Sequence, residues 1–139
     1  MQFERILCAV DFSPDSLQAF DVAVKMARFH RGALLVLHVI EAQPMVTADA
    51  LIRINKEAND AMAELIVSAR QHLEGIAISS EVTTGRAYDE TVHRAREWKA
   101  SLVVLGARGV TSLEEVIVGG TAESVVREAP CSVLVARPG

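Results

Sequence analysis

The chain has 139 residues, half of them hydrophobic, so it is long enough to bury one core and too short for two ordinary domains. We therefore predict one domain over residues 1–139. The formal charge of -4, the pI near 5.5 and the lack of any long basic run argue against nucleic acid or an anionic membrane surface as a partner.

The first residues carry no targeting signal that we can identify. Glu4 stands where a secretory signal peptide would be basic, and the apolar run over residues 6–10 stops at Asp11. The longest apolar stretch, residues 33–40, is interrupted by His38 and is far shorter than the roughly 18 residues that span a bilayer. We expect a cytoplasmic protein without a membrane-spanning segment.

Strand-like runs rich in Val, Ile and Leu alternate with helical patterns along the whole chain. These runs cover residues 5–10, 33–40, 77–83, 101–105 and 132–136. Several are almost continuously apolar, which is typical of parallel strands covered by helices on both faces. We predict an α/β fold, a three-layer sandwich around a five-stranded parallel sheet with strand order 3-2-1-4-5.

Capping and stop signals bound the helices between these strands. Ser13 is the predicted N-cap of the first helix, Pro14 its first residue and Gly32 its stop. The second helix is predicted over residues 48–73 and the third over residues 87–99. The fourth begins at Gly119 and ends before Pro130, because the residue before a proline avoids helical geometry. Apolar spacing predicts that these residues face the core: Leu17, Phe20, Val24 and Ala27 on the first helix, and Leu51, Ile54, Ala58, Ala61 and Leu65 on the second.

Two glycine clusters follow the fourth strand and suggest a ligand. Gly106 and Gly109 are three apart, and nine residues later Gly119, Gly120 and Thr121 open the fourth helix. Glycine allows phosphate oxygens to approach backbone N–H groups closely, and a helix N-terminus adds unpaired donors and a partial positive charge. The spacing therefore predicts a phosphate or nucleotide site.

Asp11 ends the first strand, and the Gly106 to Gly109 loop leaves the fourth. In an open parallel sheet, ligands bind beyond the carboxyl ends of the strands where the strand order reverses. With the order 3-2-1-4-5, the first and fourth strands flank that point. An acid able to hydrogen-bond a ribose or its base is then expected to face a glycine loop able to hold phosphates.

The residues along nearly the whole chain resemble the universal stress protein family. The resemblance rests on residues 10–13 (VDFS), 38–41 (HVIE), Gly85, residues 105–109 (LGARG) and residues 129–135 (APCSVLV). It implies the adenine nucleotide alpha hydrolase-like fold. Nucleotide-binding members of the family share a motif of glycine, two residues, glycine, nine residues, glycine and then Ser or Thr. The three motif glycines here have that spacing.

The resemblance also implies roles, residue by residue. Positions matching Asp11 and Val39 contact the ribose and adenine of ATP in such relatives, and Arg108 is expected to neutralise phosphate charge. Positions matching Gly106, Arg108, Gly109 and Gly119 line the phosphate site in these relatives. We also assign Leu105, Gly120 and Thr121 to the nucleotide site, with Thr121 as the alternative hydroxyl donor. The implied cofactor is ATP or another adenine nucleotide, with Mg²⁺ as a candidate companion ion. The implied partner is a second copy of the chain, paired through the fifth strand.

Three positions depart from the family pattern. Gly120 stands where the family has Ser or Thr, and Ala122 replaces a further hydroxyl of some ATP-binding members. Glu114 lies where relatives commonly place a basic residue, and it is followed by Glu115. Together these departures predict weaker ATP binding than the glycine spacing alone suggests.

We predict no catalytic residue and no metal-ligand cluster. Ser13, His38 and Asp11 are of the types found in hydrolase triads, but the chain lacks a G-x-S-x-G elbow and Ser13 already serves as a cap. It also lacks a G-x-x-x-x-G-K-[ST] loop. Three functions stay open: a dimeric nucleotide-binding sensor or adaptor in the stress response, a dimer that acts without nucleotide, and a slow ATPase.

Overall fold

The computed structural model describes residues 2–41, 43–109 and 118–137. Within these ranges five parallel β-strands alternate with four α-helices, as predicted. The elements are β1 (Arg5–Ala9), α1 (Pro14–His30), β2 (Ala33–Ile40), α2 (Ala48–Arg70), β3 (Ile78–Thr84), α3 (Ala87–Trp98), β4 (Leu102–Gly106), α4 (Gly120–Glu128) and β5 (Ser132–Ala136). The largest difference from the predicted boundaries is at the end of α2, which stops at Arg70 rather than Leu73.

The strand order is β3-β2-β1-β4-β5, which confirms the predicted order. In the central strand β1, Cys8 pairs with Val36 of β2 on one side and with Val104 of β4 on the other. The chain moves outward from β1 to β3 and then returns to the opposite side of β1 for β4. This reversal leaves a crevice beyond the carboxyl ends of β1 and β4.

Helices cover both faces of the sheet, which explains why β1, β2 and β4 are almost continuously apolar. On β1, Ile6 and Cys8 belong to the core packed by α1 and α2, whereas Leu7 belongs to the core packed by α3 and α4. All three side chains have no exposed surface. The two cores and the sheet between them form the predicted three-layer sandwich.

The start of α1 follows its sequence signals, but its end does not. Ser13 accepts a hydrogen bond from the backbone N–H of Ser16, with Pro14 as the first helical residue. At the other end Arg31, rather than Gly32, adopts the left-handed conformation, with φ of 53°. Gly32 serves close packing instead, because a Cβ there would collide with the backbone oxygen of Phe3.

The buried face of α2 differs from the predicted one. Leu51 is 43% exposed, and the buried side chains begin only in the middle of the helix. They are Ala58, Met62, Ile66 and Ala69. The first turns of α2 border the crevice rather than the sheet, since Ile54 lines the cavity described below. Leu17 of α1, also predicted to be buried, is 40% exposed.

Candidate functional site

A cavity of about 690 Å³ opens beyond the carboxyl ends of β1, β2 and β4. Its volume lies within the range typical of small-molecule sites, roughly 300–1,000 Å³. The residues that the sequence assigns to a nucleotide site all line it: Asp11, Val39, Leu105, Gly106, Arg108, Gly109, Gly119, Gly120 and Thr121. The parallel topology thus brings four separate stretches of sequence to one place.

The end of β4 packs directly against the first turn of α1. A Cβ at Gly106 would lie 2.6 Å from the carbonyl carbon of Asp15 and 2.7 Å from the backbone nitrogen of Ser16. Real Cβ atoms essentially never approach backbone so closely, so this position requires glycine for packing alone. The structure therefore adds a physical reason for Gly106 that the sequence does not reveal.

Arg108, which is partly exposed, forms an ion pair with the buried Asp15. The guanidinium Nε donates to Oδ2 of Asp15 and Nη2 donates to Oδ1, each at 3.0 Å. The backbone N–H of Arg108 also donates to Oδ2 at 3.0 Å. Sequence reasoning did not assign Asp15 to the site and missed this pairing. The charge expected to neutralise phosphate is thus already matched by a carboxylate.

The ion pair changes the titration of Asp15. The hydrogen bond from the Arg108 guanidinium holds the pKa of this carboxyl below its ordinary value, against the opposing effect of burial. The backbone hydrogen bond from Arg108 and the attraction of Arg108 and Arg137 lower this pKa further. Asp15 therefore stays ionised at neutral pH although it is only 3% exposed.

Asp11 organises the turn between β1 and α1. Its Oδ1 accepts hydrogen bonds from the backbone N–H of Ser13 at 3.0 Å and from the Ser13 hydroxyl. Phe12 between them has φ of 65°, an uncommon left-handed conformation for a bulky residue. A Cβ at Gly109 would lie 2.8 Å from Oδ2 of Asp11. The acid and the glycine loop therefore face each other, as the strand order predicts.

The same turn gives no support to a catalytic triad. Ser13 donates its hydroxyl proton to Asp11, and it accepts the capping hydrogen bond of α1. His38 has its Nδ1 2.8 Å from the carbonyl oxygen of Val10, and its ring lies against Phe12 with centroids 4.8 Å apart. Because a carbonyl oxygen only accepts, Nδ1 carries the proton in this contact.

Glu41, which sequence reasoning did not assign to the site, caps α3 at the cavity wall. Its Oε1 accepts from the backbone N–H of Ala87 at 2.8 Å, while the N-cap residue Arg86 makes no side-chain cap bond. Both Glu41 and Ala87 line the cavity, as does buried Thr91. The sequence did contain a signal for this contact. The third helix starts without a capping side chain of its own, and an acid follows β2.

The second glycine cluster begins α4 beside the first. Gly119 is the N-cap, without a side-chain cap bond, and its backbone N–H donates to the carbonyl oxygen of Ala107. A Cβ added at Gly120 would meet none of the described residues outside its own helix within 4 Å. Among the described residues there is therefore room for the hydroxyl that the family resemblance implies at this position. The predicted effect of Glu114 and Glu115 lies outside the described residues.

Residues 2–41, 43–109 and 118–137 contain no group of three or more His, Cys, Asp or Glu side chains arranged to hold a metal ion. No helix in the same ranges combines the length and the apolar character that crossing a membrane requires.

The fold and the cavity define a doubly wound α/β protein whose glycine-lined cavity lies at the reversal of strand order. The chain belongs to the universal stress protein family, whose model matches residues 2–137. A universal stress protein of Methanocaldococcus jannaschii is 30% identical over 142 residues, which cover 97% of this chain and 82% of that protein.

Solved structures of the family share the fold, which is the adenine nucleotide alpha hydrolase-like one. The universal stress protein UspA from Lactobacillus plantarum has a TM-score of 0.82 and 29% identity over 99% of each chain. A universal stress protein in complex with cAMP has a TM-score of 0.74 and 23% identity over 100% of each chain. One from Archaeoglobus fulgidus in complex with dAMP has a TM-score of 0.73 and 21% identity, covering 99% of this chain and 100% of that chain.

Because of the Asp15–Arg108 pair, we expect Asp15→Asn to be less stable than the parent, by an amount that depends on pH. We expect the free energy of unfolding at pH 7 to fall by about 2 kcal/mol, because hydrogen bonds to a buried charge are lost. Since the folded state lowers the pKa of Asp15, the stabilisation is fully present above the unfolded value of about 3.9 and is lost as pH falls below it. Urea unfolding of both proteins from pH 7 to pH 3 measures this.

The matched control is Asp21→Asn, the same substitution at an exposed position of the same helix. It should leave the free energy of unfolding unchanged. Two results would contradict the assignment of this ion pair. One is an Asp15→Asn protein as stable as the parent at pH 7, and the other is a difference in unfolding free energy that grows as the pH falls.

Proposed function

We propose that the cavity binds an adenine nucleotide and that the chain is a dimeric sensor or adaptor of the cytoplasmic stress response. We treat residues 1–139 as its single domain. The observation that carries the proposal is the meeting of Asp11 with two glycine clusters of the family's spacing in one cavity. The cAMP and dAMP complexes of structurally similar family members support an adenine nucleotide as the ligand. ATP is the candidate that the glycine motif favours.

In this proposal the cavity residues divide by the part of the ligand they contact. Asp11 accepts hydrogen bonds from ribose hydroxyls, and Val39 packs against the base. Backbone N–H groups around Gly109 and at the start of α4 hold phosphate, because glycine admits close approach and the helix dipole favours an anion. Mg²⁺ would accompany a triphosphate as a counter-charge, held mainly by phosphate oxygens rather than by a protein cage.

The first test is whether the purified protein carries and binds adenine nucleotides. We expect a nucleotide in the supernatant after denaturation, and saturable heat on titration with ATP, ADP, AMP or cAMP at a Kd below about 1 mM. Gly109→Val should weaken binding at least about tenfold, because the branched side chain occupies the space between the loop and Asp11. Its thermal midpoint should stay close to that of the parent.

Ala77→Val, which adds the same side chain at an exposed position ahead of β3, is the control for Gly109→Val. Empty protein together with flat titrations would favour the dimer that acts without nucleotide. Equal affinity in Gly109→Val and the parent would remove the glycine loop from the site.

A hydroxyl at position 120 should strengthen nucleotide binding. Gly120 is the first residue of α4, and a Cβ there meets none of the described residues outside the helix. Gly120→Ser therefore supplies the side chain that the family resemblance implies without a clash with that part of the chain. One added hydrogen bond corresponds to about a 3- to 10-fold gain in affinity. Gly120→Ala adds the Cβ without the hydroxyl and should leave affinity near the parent value. An equal gain in both variants would assign the effect to the helix rather than to the ligand.

We propose that two copies of the chain pair through β5. This strand is at the edge of the sheet and pairs with β4 on its other side. Val133, Leu134 and Val135 are only partly buried, and an exposed apolar edge strand is a template for pairing with another chain. Sedimentation should therefore give about 30 kDa, twice the 15.0 kDa of one chain. A single 15.0 kDa species at all concentrations would exclude the dimer.

A further inference from the structure

The charged groups at the cavity point to the kind of nucleotide it takes, an inference that rests on the proposed function. Of the described lining residues, Arg108 is the only arginine or lysine, while Asp11 and Glu41 bring carboxylates. Asp15 adds a third carboxylate in direct contact with Arg108. Arg137 attracts Asp15 but does not line the cavity. The described lining is therefore poor in positive charge for a multiply charged anion.

Arg108 cannot supply its full charge to a phosphate while it holds Asp15. The carboxylate engages Nε and Nη2 in a bidentate pair, the arrangement in which guanidinium and carboxylate bind each other best. At the cavity this pair acts as a nearly neutral unit. The remaining attraction for phosphate comes from backbone N–H groups and helix N-termini, which carry only partial charges.

A rotation of Arg108 away from Asp15 toward a ligand is unfavourable. It would leave an ionised carboxylate buried without its partner, which is costlier than losing an exposed contact. The backbone N–H of Arg108 also bonds Asp15, so the loop itself is tied to α1. Asp15 and Arg108 therefore stay together when the cavity is filled.

We infer that Asp15 is a specificity-determining residue which, by pairing with Arg108, makes the cavity select adenine nucleotides with one phosphate over ATP. A monophosphate or cyclic monophosphate needs little cationic compensation. Each additional phosphate brings roughly one further negative charge toward Asp11, Glu41 and a guanidinium that is already neutralised. Asp15 acts through Arg108 and is a positioning residue, not one that touches the ligand.

Calorimetric titration of the parent protein with AMP, cAMP and ATP tests the selectivity directly. In EDTA at 150 mM salt, we expect AMP to bind at least about tenfold more tightly than ATP. Mg²⁺ should narrow this ratio because it neutralises charge on the triphosphate. ATP binding more tightly than AMP in EDTA would overturn the inference, whatever happens to any variant.

Asp15→Asn tests the residue itself. The amide removes the negative charge but keeps the shape, so Arg108 gains net charge toward the ligand. We expect the AMP-to-ATP affinity ratio in EDTA to fall about tenfold, mainly through tighter ATP binding, and to become more dependent on salt. Thermal unfolding in the same buffer confirms that the variant is folded, and Asp21→Asn should keep the parent ratio. An unchanged ratio in folded Asp15→Asn would show that Asp15 does not set selectivity.

These outcomes separate the two proposals. One result is that the parent binds adenine nucleotides without the expected AMP-to-ATP affinity ratio, and another is that Asp15→Asn leaves that ratio unchanged. Either result rejects the selectivity inference and leaves the proposed function standing. Absence of saturation with AMP, cAMP and ATP at millimolar concentration in the parent rejects the proposed function, and the selectivity inference with it.

Discussion

The end of β4 lies so close to the first turn of α1 that only glycine fits at position 106, and the cavity depends on this contact. Close packing there lets the backbone N–H and the guanidinium of Arg108 reach the buried Asp15. It also places Gly109 against Asp11, whose carboxylate organises the turn before α1. A larger side chain at position 106 would force β4 and α1 apart and would disturb all these contacts together.

The electrostatics of the cavity follow from the same packing. Asp15 neutralises the arginine that lines the site, and Glu41 occupies the start of α3 with a second carboxylate. Among the described residues, what remains for an anion is the backbone of the glycine loop and the start of α4, where a Cβ at Gly120 would meet no described neighbour. In our proposal, this charge balance favours ligands with few phosphates. On that account, ATP should bind less tightly than the glycine spacing alone predicts.

The fold was largely predictable because its signals are local. Apolar runs mark the strands, Ser13 and Pro14 start α1, and the strand order places Asp11 beside the glycine loop. The contacts that shape the site were not predictable in this way. Asp15 and Arg108 are 93 residues apart, and Glu41 and Ala87 are 46 apart, so no periodicity or spacing links them. The exposure of Leu51 also required the structure, because a helical pattern does not show where the sheet ends.

A crystal structure of the protein grown with saturating AMP tests the central claim most directly. The account predicts one nucleotide in the cavity, with its phosphate over the loop at Gly109 and the start of α4, its ribose at Asp11 and its adenine against Val39. The same structure should keep Arg108 on Asp15. Solvent alone in the cavity, or a nucleotide bound elsewhere on the chain, would contradict the account.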